Sequence, residues 1–142
     1  MAEARRRLQT LWVAVGVQLL GRLVDLRWHL TNEEFEGVSE QFEAHWLLWL
    51  GVLGTLLVAV GAARQPETPL PERRGYLFLL GSGLAYTGIA VWHFIEHANG
   101  NDPELAHILL GVTQIGMVLG AVLATIGARR GRPVAAPSAS PR

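Results

Sequence analysis

The sequence predicts an all-α fold: an integral membrane four-helix bundle threaded up and down over residues 1–130, followed by a disordered tail over 131–142. Half of the 142 residues are hydrophobic and the mean hydropathy is positive, which makes a bilayer the first solvent to consider. Four apolar runs, about 8–30, 44–63, 75–98 and 105–128, each approach the roughly twenty residues that a helix needs to cross the hydrocarbon core. The stretch LLWLGVLGTLLVAVGAA, residues 47–63, has neither a charge nor the polar face that a helix of a soluble bundle keeps along its length.

The first run continues past any short apolar core to Arg22, Asp25 and Arg27 and lacks a small-residue cleavage site, so it is a helix of the bundle rather than a removable signal. An acidic connection, TNEEFEGVSEQFEA at 31–44, leads to the second run. Pro66, Pro69 and Pro71 mark the turn between two helical hairpins, RQPETPLPERR at 64–74. After the third run, Asn99, Gly100 and Pro103 make a short turn in which Asn101 or Asp102 could cap the fourth helix. The tail RGRPVAAPSASPR is rich in Pro, Ala and Ser, the composition of a segment that buries nothing.

Charge gives the orientation. Four spans put both termini and the middle turn on one side, with Arg5, Arg6, Arg7, Arg64, Arg73, Arg74, Arg129, Arg130, Arg132 and Arg142. The other two connections carry acids and no arginine. Basic segments stay in the cytoplasm, so a multi-pass inner-membrane protein with both termini cytoplasmic is expected. Trp28, Trp46 and Trp92 would sit at the outer interface. Gly51 and Gly54, Gly81 and Gly83, and Gly116 and Gly120 are expected to let helices approach closely. The hairpins also look alike: WH at 28–29 and 92–93, AH at 44–45 and 106–107, and apolar runs ending in AAR and GARR suggest a duplicated unit.

On these helices all five histidines fall near the outer, extracytoplasmic face. Residues three, four and seven apart share one side of a helix. Gln18, Arg22, Asp25 and His29 therefore form one polar stripe, Ser82, Tyr86, His93 and His97 a second, and His107 with Gln114 a third, while the second run offers His45. Ionisable groups are costly in hydrocarbon and turn inward to partners, so the stripes should meet inside the bundle. Asp25, His29, His45, His93, His97 and His107 then form a set of imidazole and carboxylate donors suited to zinc, iron, manganese or copper, sufficient for two ions or for one ion with outer partners. Glu96, Arg22, Gln114 and Tyr86 are candidates for the surrounding shell, Glu96 also for a ligand, and Glu36 and Glu43 are further acids near the mouth. Cysteine is absent, which excludes thiolate sites and a cysteine nucleophile.

The pattern DLRWH at 25–29, a histidine opening the second helix in HW at 45–46, and H-x3-H at 93–97 resemble a set of uncharacterised four-span membrane proteins of high-GC bacteria. The resemblance spans the whole chain and implies no activity. The same D-x3-H and H-x3-H spacings look like those of zinc-dependent membrane hydrolases of the ceramidase and adiponectin-receptor type. Those have seven spans and further motif residues that this chain lacks. Membrane di-iron hydroxylases share H-x3-H, but their double-histidine motifs are missing here. Three readings stay open: a metal centre, with an enzyme in which Asp25 or Glu96 acts as base for a metal-bound water; a haem b protein ligated by His29 or His45 with His93 or His107; and a metal-free accessory subunit held together by its polar cluster. The expected partners are lipid and a metal ion rather than nucleic acid, with room for a homodimer or a larger membrane complex.

Overall fold

The computed structural model describes residues 2–31, 38–101 and 104–130, with 38–44 by backbone alone. It consists of four helices: α1 (Ala2–Thr31), α2 (Val38–Arg64), α3 (Leu70–Ala98) and α4 (Glu104–Arg130). Each covers one predicted run and extends beyond it, because the polar residues flanking the apolar stretch continue the same helix. The Glu36 and Glu43 side chains, the Asp102 cap and the tail from 131 onward lie outside the described residues.

The turns follow from local chemistry. Pro69 precedes the first turn of α3 and Pro71 stands within it, where a missing N–H costs nothing. Thr68 Oγ1 donates to the Ala62 carbonyl at 2.8 Å and Arg73 Nη2 to the Gln65 carbonyl at 2.8 Å, so the end of α2 is capped by side chains from the turn. At the other end Gly100 takes φ +78°, which lets the Gly100 N–H reach the His97 carbonyl and the Asn101 N–H reach the Glu96 carbonyl. This cap closes the turn that carries His97.

The bundle is two tight antiparallel hairpins, α1 with α2 and α3 with α4, that meet each other mainly through α2 and α3. Glycine sets the tightness. A Cβ on Gly21 would strike the Leu48 backbone and one on Gly51 the Gln18 backbone; in the second hairpin Gly75 lies against Ala124 and Gly127 against Glu72. Of the glycines expected to permit packing, Gly51, Gly54, Gly83, Gly116 and Gly120 do so, whereas Gly81 faces open space.

Two apolar clusters fill the interior. Leu11, Val15, Ala59, Tyr76, Leu79 and Ala124 belong to the one at the turn end. Leu48, Val52, Tyr86, Ala90, Leu110 and Met117 form the one beneath the histidines. The outside is as apolar as the inside: Leu20, Leu23, Leu30, Leu53, Leu57, Leu84, Ile108 and Ile115 are all exposed. Soluble monomers do not expose an apolar belt on every helix. By length and composition α2 from His45, α3 and α4 are each apolar enough to cross a membrane. Helix α1 is equally long but does not qualify, since Gln9, Gln18, Arg22, Asp25 and Arg27 dilute its apolar run.

One buried ion pair escaped the sequence reading. Arg7, grouped there with the basic topology signal, turns inward and places Nη2 2.8 Å from Glu72 Oε1, with the Glu72 side chain 1% exposed. Its Nη1 also donates to Gln65 Oε1. Burial opposes the Arg7 charge, but the hydrogen bond and charge of Glu72 outweigh it and raise the guanidinium pKa above its ordinary value. The pair ties the start of α1 to the start of α3, across the two hairpins.

Candidate metal centre

Each hairpin brings three donors together at the end away from the Pro-rich turn. In the first, Asp25 is fully buried on α1 and aims Oδ1 at His45 Nε2 on α2, 2.9 Å away, and at His29 Nε2 one turn further along α1, 3.3 Å away. Its second oxygen, Oδ2, accepts a 2.5 Å bond from Arg22 Nη1. Asp25 is buried with Arg22 bonded to one oxygen and two imidazole nitrogens within 3.3 Å of the other, and a carboxylate in this interior without such neighbours would be very costly.

In the second hairpin His93, 8% exposed, faces His107 across the α3–α4 contact, with Nε2 to Nε2 2.9 Å. His97 stacks one turn above His93, ring centroids 4.3 Å apart. Donor atoms of Asp25, His29 and His45 lie within 4.8 Å of one another, and so do those of His93, His97 and His107. A tetrahedral ion with bonds near 2.0–2.1 Å spaces its nitrogens by about 3.3 Å. The donor spacing in each group is of the size that one such ion would bridge. His29 and His107 link the groups, ring centroids 6.4 Å apart, so the two form one cluster at one end of the bundle.

All six donors named from the sequence fall in these two groups, three from each hairpin. The repeat, however, has a different register from the one the letters suggest. Asp25 pairs across its hairpin with His45 as His93 does with His107, so Asp25 corresponds to His93, and His29 to His97. The WH dipeptides are one helical turn out of that register. What is alike in the two hairpins is a pair of donors four apart on the first helix and one histidine in the N-terminal third of the second.

The other candidates divide. Arg22 contacts the site directly through Asp25. Glu96 belongs to neither donor group among the described residues: its carboxylate accepts from Trp92 Nε1 at 3.3 Å and from Asn101 Nδ2 at 2.8 Å, which secures the end of α3. Tyr86 and Gln114 are buried two turns below His93 and His107, as Gln18 is below Asp25, so the three make a polar floor about 10 Å under the donors. Tyr86 packs edge-on against Trp49, and Gln18 Nε2 donates to Met117 Sδ at 3.4 Å. Gln18 Oε1 and Gln114 Nε2 are buried without a hydrogen-bond partner. Comparison with known protein families, curated proteins and solved structures finds no match to this chain.

Proposed function

We propose that this chain is a small multi-pass membrane protein that holds two metal ions in a polar cluster at the extracytoplasmic end of its bundle, one ion per hairpin. The observation that carries the reading is the convergence of six donors as two compact groups, each drawn from two helices, in an otherwise apolar bundle. Imidazole and carboxylate ligands in this number suit zinc, iron, manganese or copper(II). The groups differ in chemistry: Asp25, His29 and His45 supply two imidazoles and a carboxylate, whereas His93, His97 and His107 supply three imidazoles. Each leaves coordination positions for water or substrate, which is the arrangement of a reactive rather than a closed structural site. A membrane-embedded metal-dependent hydrolase or oxidoreductase is the activity class that follows.

Orientation is supported by charge. Arg5, Arg6, Arg64, Arg73, Arg74, Arg129 and Arg130 gather at the end opposite the donors, the end that basic residues hold in the cytoplasm. A haem b reading has less support. Ligation by His29 or His45 with His93 or His107 would use two imidazoles and leave Asp25 and the three other histidines of the two groups without a role. The test is purification in mild detergent followed by elemental analysis and a visible spectrum. Near-stoichiometric transition metal without a Soret band supports the proposal; a Soret band favours haem, and neither signal leaves the metal-free accessory role.

A further inference from the structure

The seam between α1 and α4 is the loosest in the bundle. At the turn end it opens into a groove lined by Arg5, Gln9, Trp12 and Val13 of α1 and by Thr125 and Arg129 of α4. Further along, a second, apolar groove runs between Leu19 of α1 and Ile115, Val118 and Leu119 of α4, widened by Gly111, which meets nothing. The indole of Trp12 donates to Thr125 Oγ1 at 3.0 Å and braces the seam where the first groove begins to turn apolar.

Charge decides what fits here. Arg5 and Arg129 stand on opposite rims and, among the described residues, no carboxylate engages either. The groove on the other flank of α1, between α1 and α2, is different: it contains Glu3 beside Arg6 and Arg7, and Arg7 is already bound to Glu72. Of these two grooves, the α1–α4 one has a guanidinium from each helix on its rim, neither engaged by a carboxylate among the described residues, beside an apolar channel.

We infer that the α1–α4 seam is a binding site for an anionic phospholipid. Its phosphate lies between Arg5 and Arg129, within reach of the Gln9 amide, and one acyl chain follows the seam past Val13 towards Leu19 and Val118. Guanidinium groups suit this ligand because they hold phosphate by paired N–H donors. The inference rests on the membrane-spanning reading but not on the metal centre, so either can fail without the other.

The experiment is native mass spectrometry of the full chain from detergent, with added phosphatidylglycerol or phosphatidylcholine. The expected result is preferential retention of phosphatidylglycerol by the wild type, with each seam arginine contributing about fivefold, so that the Arg5→Ser, Arg129→Ser double variant loses at least tenfold. The Arg64→Ser, Arg74→Ser double variant removes the same charge from exposed positions at the same end and should keep the preference. Equal loss in both doubles would show general charge attraction and overturn the site, as would undiminished retention in the first. A dimer that persists after lipid is stripped would put a second copy in the seam instead. Should the seam variant not fold, quenching of Trp12 by brominated phosphatidylglycerol, read against Trp12→Phe, replaces it. Equal quenching by brominated phosphatidylcholine would then refute the assignment.

Discussion

If each hairpin binds its own ion, removing one ligand should remove one ion and leave the other. The cleanest pair of perturbations is His45→Ala and His107→Ala, one from each hairpin and each in the N-terminal third of its second helix. In the second hairpin, the Nε2 atoms of His93 and His107 are 2.9 Å apart, against about 3.3 Å in a tetrahedral site, so an ion enters with a shift of a few tenths of an ångström. Little of the binding energy is then spent on rearrangement, and each ligand should contribute heavily. Loss of an outer partner alone typically weakens a metal site by about 10–100-fold, and loss of a direct ligand should weaken it by at least 100-fold, about 2.7 kcal/mol. Ions bound per chain should fall from two to one in either variant and to zero in the double. Elemental analysis after gel filtration counts the ions, and cobalt(II) substitution reports the geometry of the site that remains. Complete loss of metal in one single variant would mean a shared mononuclear site, and full retention in both would remove these histidines from coordination; either result refutes the two-group arrangement.

Four further outcomes are expected. Chelation should lower the thermal midpoint of the wild type but not of the His45→Ala, His107→Ala double, because only a protein that binds metal in its folded state is stabilised by it; a differential scan with and without EDTA decides this. Glu96→Gln should keep the full metal complement, since Glu96 bonds to Trp92 and Asn101 rather than to the donor groups, and loss of an ion in that variant would place it in the site. Arg7→Met should destabilise by about 3 kcal/mol by leaving Glu72 buried and unpaired, whereas Arg7→Met with Glu72→Met should recover most of that; detergent unfolding curves for the two test it. Gly75→Val should cost about 1–3 kcal/mol by driving into the Ala124 backbone, while Gly16→Ala, with nothing near its Cβ, should be neutral or stabilising by up to about 1 kcal/mol.

Much of this arrangement is legible in the letters, for physical reasons that also set the limit. Apolar runs separated by Pro, Gly and acidic stretches define helices because length and hydropathy are local quantities, and the helix ends follow from Pro69, Pro71 and Gly100. The histidines could be placed at one end because an up-down thread has no other option. The division into two groups was not legible, since it depends on how far each helix rotates and slides against its partner. Gly21 and Gly51 set that register in the first hairpin, and Gly75 and Gly127 in the second, and three of these four were not singled out. The WH match pointed one turn astray for the same reason: Trp28 and Trp92 report where a membrane interface would lie, not which residues oppose each other. Glu72 was missed because a run of arginines reads as topology, although a lone acid in the first turn of an apolar helix beside Arg73 and Arg74 was a signal that some of the basic charge turns inward.

The polar site also accounts for the one helix that departs from its siblings. Helix α1 presents Leu19, Leu20, Leu23, Leu26 and Leu30 to the outside, as a lipid-facing helix should, yet of the four described helices it is the one whose apolar run is most diluted by polar residues. The residues responsible include Gln18 and Asp25, which are buried in the bundle, and Arg22, which pairs with Asp25 of the first donor group. Their cost in lipid falls when His45 of α2 is in place, because that imidazole joins Arg22 and His29 of α1 around Asp25. Helix α1 should therefore enter the membrane together with α2, as a hairpin, whereas α3 and α4 are each long and apolar enough to cross on their own composition. A truncation ending after residue 31 should consequently fail to integrate in a glycosylation-mapping or protease-protection assay, and one ending after residue 64 should integrate. Stable insertion of α1 by itself would break the link between the site and the order in which the bundle is built.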